Sequence, residues 1–191
     1  MTEDAKQVTV ILIHGRGGTR EEMMAFAIEH LPPANFLAMQ APAKAWYPHS
    51  FLVPRERNEP YLSQSLQAVT DAIRESGAQR EKIVLLGFSQ GACLALEYVA
   101  RNPGKYSGVL AFSGGLIGEE LKPVTDSLNG TPIILTCSEE DPHIPLFRVK
   151  ASAALLHEAS AEVQLYSYPG DTHTITEHEL QLAAELINRA Q

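Results

Sequence analysis

A serine stands between glycines in the segment Gly87-Phe88-Ser89-Gln90-Gly91. A serine hydroxyl becomes a useful nucleophile only when a neighbouring base accepts its proton. The apolar run 82–86 precedes the segment and a stretch of small and apolar residues follows it, which places Ser89 in a tight turn from a strand into a helix. The flanking glycines leave room for such a turn. The pattern predicts a nucleophile at Ser89; the alternative is a simple strand-to-helix turn capped by the serine.

A carboxylate and a histidine follow in the order that such a serine requires, first the acid and then the base. Asp141 comes just after the apolar run 132–137, and His173 comes just after the run 163–168. We therefore expect His173 to take the proton of Ser89 while Asp141 holds the imidazole in the required tautomer.

Other titratable residues near these positions are alternatives for the acid or the base. Glu139 and Glu140 precede the proposed acid directly and are its rivals. Asp171 lies only two residues from the proposed base and is better explained as a turn residue. His143 is next to the acid in sequence and is badly placed to reach the serine. The remaining histidines are interpreted as structural or solvent-facing: His14, His30, His49, His157 and His178.

A developing oxyanion needs preorganised hydrogen-bond donors. The backbone N–H of Gln90 is one candidate, because it opens the helix that follows the serine, where the helix dipole also favours negative charge. The backbone N–H of Arg16, in the glycine-rich segment 14–19, is the second candidate. The alternative for that segment is a phosphate-binding loop, but it has neither G-x-G-x-x-G nor a Walker lysine.

The elements that must position these residues alternate along the chain. Six short apolar runs alternate with amphipathic stretches, which predicts an α/β fold, a three-layer sandwich with a mostly parallel sheet. Together with the serine turn between a strand and a helix, this alternation predicts the α/β-hydrolase fold. We predict one domain over 1–191, without a lid domain. Because ligands bind at the carboxyl ends of parallel strands, the polar segments that follow the runs should converge on one site. The predicted strands are 8–13, 36–39, 82–86, 108–112, 132–137 and 163–168.

Local signals mark where several helices begin and end. Thr19 with Glu22 and Thr176 with Glu179 fit the capping-box pattern at two helix starts. Gly77 supplies a stop after a stretch with helical spacing.

Residues 40–60 carry four prolines and little periodicity, which predicts a long loop of functional importance. Its aromatic residues, together with two apolar residues after the fourth strand, are candidates for lining an acyl pocket; the alternative is that they only cover the edge of the sheet. With no lid, the site should favour short or medium acyl chains. The candidate pocket residues are Trp46, Tyr47, Phe51, Leu116 and Ile117.

Composition excludes several classes of protein. The chain has 191 residues and a formal net charge of −8, without a basic block, which argues against nucleic-acid binding. Its two cysteines, Cys93 and Cys137, lie in apolar segments and show no metal-ligand spacing, so we expect buried thiols and no metal site. No signal peptide or membrane span is visible, and a cytoplasmic protein is expected.

These segments together resemble the phospholipase/carboxylesterase family of small α/β hydrolases, which includes the acyl-protein thioesterases. The resemblance runs from Ile11 to the C-terminal helix and implies hydrolysis of a small-molecule ester or thioester without a cofactor. It also implies that the amides of Arg16 and Gln90 form the oxyanion hole. The matching pieces are His14-Gly15-Arg16-Gly17, Gly87-Phe88-Ser89-Gln90-Gly91, Asp141-Pro142-His143-Ile144-Pro145 and His173.

The sequence departs from the family pattern at two places. Thr172 stands where a glycine often precedes the histidine, and Arg16-Gly17-Gly18 stands where Leu-Gly-Asp is frequent. At residues 16–18 the chain is more similar to small bacterial carboxylesterases than to eukaryotic thioesterases. An arginine at the rim of the site could favour anionic or polar substrates.

We therefore expect a serine carboxylesterase, acting as a monomer or homodimer. An acyl-protein thioesterase or lysophospholipase-type hydrolase is the alternative, because the leaving group is not visible in the sequence. A dienelactone-type enzyme is disfavoured because it would carry a cysteine nucleophile. A non-catalytic ligand-binding protein on a hydrolase scaffold is the alternative of another class.

The expected role of His173 predicts a pH dependence. The imidazole must be neutral to accept the serine proton, so ester hydrolysis should fall as the solution becomes acidic. A profile of initial rates against pH measures this. A rate that stays flat well below neutrality would show that His173 is not the base.

Overall fold

The computed structural model describes residues 7–191. Its strands are β1 (Thr9–Ile13), β2 (Asn35–Ala38), β3 (Ile83–Phe88), β4 (Gly108–Phe112), β5 (Pro132–Ser138) and β6 (Glu162–Tyr168). They form one six-stranded sheet in the order β2-β1-β3-β4-β5-β6, in which every neighbouring pair is parallel. The six predicted strands are thus present, with ends that differ by one or two residues.

Helices cover both faces of this sheet. They are α1 (Arg20–His30), α2 (Tyr61–Ser76), α3 (Gln90–Arg101), α4 (Leu146–Glu158) and α5 (Glu177–Ala190). The buried residues of α2, α3 and α4 join one apolar core, and those of α1 and α5 join the other. The predicted three-layer sandwich is confirmed, and residues 7–191 contain no lid domain.

Burial explains the apolar or mixed residue pattern of each strand. In β1, Ile11 and Ile13 point into one core while Val10 and Leu12 point into the other, so no polar alternation is possible. The edge strand β6 pairs only with β5, and its residues are exposed or half-buried rather than fully buried.

The predicted helix ends are confirmed. At α1 the Thr19 hydroxyl accepts from the Glu22 N–H at 3.2 Å, and the Glu22 carboxylate accepts from the Thr19 N–H at 2.8 Å. The same reciprocal pair forms at α5 between Thr176 and Glu179. Helix α2 ends at Gly77, whose φ of 68° is left-handed and favours glycine.

The long loop was also correctly predicted. Between β2 and α2 the chain forms no strand and no α-helix, only the short 3-10 turns Pro42–Lys44 and Arg55–Asn58. No helix within residues 7–191 has the length and apolar character needed to cross a bilayer.

Strand order decides which loops meet. Since all strands are parallel, their carboxyl ends share one edge of the sheet. The loop after central β3 lies between the loops after β1 and β2 on one side and those after β5 and β6 on the other.

The first turn of α3 packs against the end of β1 with no room for a side chain at Gly91. A Cβ there would lie 2.1 Å from the carbonyl oxygen of Ile13, and a Cβ at Gly87 would lie 2.4 Å from the Gly91 backbone. This contact requires both glycines of the serine turn.

The substitution Gly91→Ala should therefore destabilise the fold by more than about 3 kcal/mol, because backbone must move to relieve the clash. Gly17→Ala is the matched control: a Cβ there meets nothing within 4 Å, although its φ is +84°. It should cost only the left-handed backbone strain of about 1–2 kcal/mol. Urea denaturation of both variants measures the difference, and equal losses would contradict the steric explanation.

Candidate active site

Ser89 occupies a strained backbone position at the turn between β3 and α3. Its φ of 53° and ψ of −117° lie outside the regions that non-glycine residues ordinarily adopt. The turn is held by its own N–H, which donates to the carbonyl oxygen of Phe112 at the end of β4, 2.9 Å away. This geometry lifts the serine side chain off the end of the central strand and into a cleft.

The structure brings Ser89, His173 and Asp141 together in one hydrogen-bonded chain. The imidazole Nε2 lies 3.0 Å from the Ser89 hydroxyl oxygen, and Nδ1 lies 2.7 Å from a carboxylate oxygen of Asp141. Such an arrangement can move a proton from serine to histidine while the carboxylate fixes the tautomer. Among the described residues, the imidazole hydrogen-bonds only these two partners.

The rival acids do not reach the histidine. Glu139 and Glu140 are exposed, and so is Asp171. The side chain of Asp141 is instead fully buried beside the imidazole. Sequence position alone did not separate these carboxylates, because the difference lies in which of them the turn after β5 directs inward.

The pKa of Asp141 is lowered. Burial by itself would raise it, but the hydrogen bond from His173 and the N–H groups of His143 and Ile144 outweigh that effect. The two amides donate to the second carboxylate oxygen at 2.8 and 2.9 Å. Asp141 therefore stays ionised and keeps its partner oriented.

Hydrogen bonds between two loops keep the acid and the base in register. The N–H of Glu139 donates to the carbonyl oxygen of Tyr168 at 2.8 Å, and that of Glu140 donates to Gly170 at 3.0 Å. The hydroxyl of Ser138 donates to the carbonyl oxygen of Thr172 at 2.5 Å. The threonine that departs from the family pattern thus takes part in fixing the histidine loop.

The backbone N–H groups of Arg16 and Gln90 belong to residues that line the same cleft. Within residues 7–191 neither amide donates to a protein acceptor. The neighbouring N–H of Gly17 donates to Lys44 at 2.7 Å, which holds the segment in place. Two donors beside the serine are therefore available for an oxyanion.

The side chain of Gln90 has a role that sequence reasoning missed. Its carbonyl oxygen accepts from the N–H of Trp46 at 2.9 Å, and its amide donates to the carbonyl oxygen of Tyr47 at 2.8 Å. It therefore ties the serine turn to the long loop. Only its position next to the serine signalled it, because a buried glutamine has no sequence pattern of its own.

His14 is structural, as expected. It is buried, and its Nε2 accepts from the N–H of Ala41 at 3.0 Å. This bond fixes the start of the long loop against the end of β1.

The cleft has a volume of about 650 Å³. Of the five candidate pocket residues, Tyr47 and Phe51 line it. Its lining residues are Gly15, Arg16, Tyr47, Pro48, His49, Ser50, Phe51, Phe88, Ser89, Gln90, Cys93, His143, Ile144 and His173.

The prediction that Trp46, Leu116 and Ile117 line the cleft was wrong: all three are buried in the core and none of them is part of the cleft wall. The indole N–H of Trp46 donates to the carbonyl oxygen of His14 at 2.8 Å, which turns the ring beneath the loop. The backbone of Leu116 and Ile117 is held inward: the Leu116 N–H donates to a serine hydroxyl on α4, and the Ile117 N–H to a glutamate carboxylate on α3. Apolar character did not distinguish core from cleft here.

Cys93 also lines the cleft, but burial raises the pKa of its thiol to about 12. A thiol that stays protonated is a poor nucleophile, which leaves Ser89 as the candidate. Residues 7–191 contain no cluster of three or more metal-ligating side chains.

Similarity to known proteins points to one family. The phospholipase/carboxylesterase family model matches residues 1–191. A crystal structure of a phospholipase/carboxylesterase from Dyadobacter fermentans is 40% identical and superposes with a TM-score of 0.89, covering 96% of this chain and 90% of that one.

Two proteins named acyl-protein thioesterase 1, from different fungi, are also similar to this chain. The one from Gibberella zeae is 37% identical over 56% of this chain and 47% of its own length, so the match spans about half of that protein. The one from Saccharomyces cerevisiae is 28% identical over 95% of this chain and 92% of its own length.

The lowered pKa of Asp141 predicts a stability that depends on pH. A depressed folded-state pKa adds stability above the unfolded value of about 4, and this contribution is lost as pH falls through the folded pKa. The difference in unfolding free energy between wild type and Asp141→Asn should shrink as pH is lowered from about 5 toward 3. Urea titrations at each pH measure it, and a difference that does not change with pH would contradict the assignment.

Proposed function

The chain belongs to the phospholipase/carboxylesterase family of α/β hydrolases, and from that membership we propose that it is a serine carboxylesterase acting through an acyl-enzyme on Ser89. The family and its relatives establish an esterase or thioesterase hydrolase. The observation that carries the finer proposal is the hydrogen-bonded chain Ser89–His173–Asp141, which opens into a cleft beside two unpaired amides.

In the proposed first step, His173 accepts the proton of Ser89 as the serine oxygen attacks the ester carbonyl carbon. The negative charge that develops on the carbonyl oxygen is stabilised by the N–H groups of Arg16 and Gln90. The ionised Asp141 stabilises the imidazolium that forms. The carbon–oxygen bond to the alcohol then breaks, and the alcohol leaves with the proton from His173.

The second step repeats the first with water. His173 takes a proton from water as the water oxygen attacks the acyl-enzyme, and the same amides hold the second oxyanion. When the bond to Ser89 breaks, the serine recovers its proton from His173 and the acid is released. Since both proposed donors are backbone N–H groups without a protein acceptor in residues 7–191, we expect little reorganisation at either step.

The cleft supports small substrates. Tyr47 and Phe51 supply apolar walls, and no lid domain is present within residues 7–191 to enclose a long chain. We therefore propose esters with short or medium acyl chains. Thioesters are the second candidate, supported by the similarity to acyl-protein thioesterases.

The substitution Ser89→Ala should lower kcat/KM for p-nitrophenyl esters by at least about 10⁴-fold, because the nucleophile is lost. A fluorophosphonate probe should label wild type but not this variant. Hydrolysis rates for esters of increasing acyl length measure the size of the pocket. Rates for matched oxygen and sulfur esters distinguish an esterase from a thioesterase.

Ser113→Ala is the matched control. Ser113 follows β4 with the same φ of 53°, is buried, and does not line the cleft. This variant should keep its activity. If wild type neither cleaves any ester nor reacts with the probe, a non-catalytic binding protein becomes the better explanation.

A further inference from the structure

The cleft contains a single formally charged side chain, that of Arg16. None of the lining residues is an aspartate or glutamate. The whole chain carries a formal net charge of −8. A cation is thus placed at the site of chemistry in a protein whose surface is otherwise acidic, where it attracts an anion locally.

The guanidinium of Arg16 is held in a fixed position. Its Nη2 donates to the carbonyl oxygen of Tyr47 at 2.8 Å and to that of His49 at 3.2 Å. The same Tyr47 oxygen accepts from the side chain of Gln90, the residue whose backbone N–H is a proposed oxyanion donor. The charge is therefore anchored to the cleft wall next to the reacting carbonyl.

The anchoring leaves the charge uncompensated. A guanidinium has five N–H donors, and those on Nε and Nη1 make no hydrogen bond to the described part of the chain. Within residues 7–191, Arg16 pairs with no carboxylate, whereas Arg55 and Arg101 both pair with the buried Glu97. Two carbonyl oxygens position a guanidinium but do not neutralise it.

Resting on the proposed function, we propose that Arg16 binds a carboxylate on the acyl part of the substrate, so that the preferred substrates are monoesters of dicarboxylic acids. A planar guanidinium matches a carboxylate through two parallel hydrogen bonds.

The acyl side is favoured by the order of the strands. The departing alcohol takes its proton from His173, which comes from the β6 side of Ser89. Arg16 and the loop that anchors it come from the opposite side, after β1 and β2. The carboxylate therefore lies away from the leaving group.

The test compares two esters with acyl chains of equal length, monoethyl glutarate and ethyl valerate, by proton release. Wild type should prefer the glutarate ester, and Arg16→Gln should lower the ratio of the two kcat/KM values about tenfold, the loss typical of a charge-assisted hydrogen bond. The neutral ester corrects for any disturbance of the Arg16 backbone amide, because both esters use it. Arg16→Lys keeps the positive charge but not the planar guanidinium. Its ratio of kcat/KM values should lie between those of wild type and Arg16→Gln.

Arg74→Gln is the control for net charge, since Arg74 is exposed on α2 and pairs with Asp71 outside the cleft. It should leave the ratio unchanged. Added salt should lower the ratio in wild type, because it screens the attraction between the guanidinium and the substrate carboxylate. It should not lower the ratio in Arg16→Gln, where that attraction is absent.

Several results would overturn the proposal. A ratio that Arg16→Gln does not change would remove the carboxylate site, and equal losses for both esters would show that Arg16 only anchors the loop. The ester 3-(butanoyloxy)propanoate carries its carboxylate on the alcohol side. If Arg16→Gln lowered kcat/KM only for this ester, the assignment of the carboxylate to the acyl side would be wrong. If wild type hydrolyses none of these esters faster than Ser89→Ala, it is the proposed function that fails.

Discussion

The contact between the first turn of α3 and the end of β1 sets the geometry on which the rest of the site depends. With a hydrogen at Gly91 in place of a side chain, α3 starts directly beside the carbonyl oxygen of Ile13. Ser89 stands immediately before this turn with a positive φ of 53°, and Gln90 lines the same cleft as Arg16. One close packing contact thus aligns the serine and both proposed oxyanion donors.

The two sides of the sheet supply different parts of the site. The loops after β5 and β6 hold the acid and the base, and they are joined by backbone hydrogen bonds that extend the pairing of the two strands. The loops after β1 and β2 form the opposite wall, tied to the serine turn through Gln90 and to one another through His14. Ser89 lies between them because β3 is central in the sheet.

Charge is distributed unequally between these sides. On one side, the buried carboxylate of Asp141 accepts hydrogen bonds from His173 and two backbone amides, so it serves orientation. On the other side, the guanidinium of Arg16 is anchored by carbonyl oxygens alone and keeps N–H donors that can bind an anion. In this proposal, the carboxylate of Asp141 serves the reaction and the guanidinium of Arg16 selects the substrate.

The sequence by itself determined the six strands, the capped helices and the candidate serine and histidine, because these depend on local patterns: apolar runs, capping boxes and the glycines of a tight turn. It placed the acid in the segment after β5 but left Glu139 and Glu140 as rivals of Asp141. It also singled out Arg16 and Gln90. Tertiary structure alone decided how the aromatic residues of the long loop contribute: all three are buried in the core, Tyr47 and Phe51 also line the cleft, and the indole N–H of Trp46 donates instead to the carbonyl oxygen of His14. It likewise decided the role of the Gln90 side chain, whose partners lie more than forty residues away. Burial and long-range hydrogen bonds depend on which elements meet across the sheet, and no pattern within a single segment specifies that.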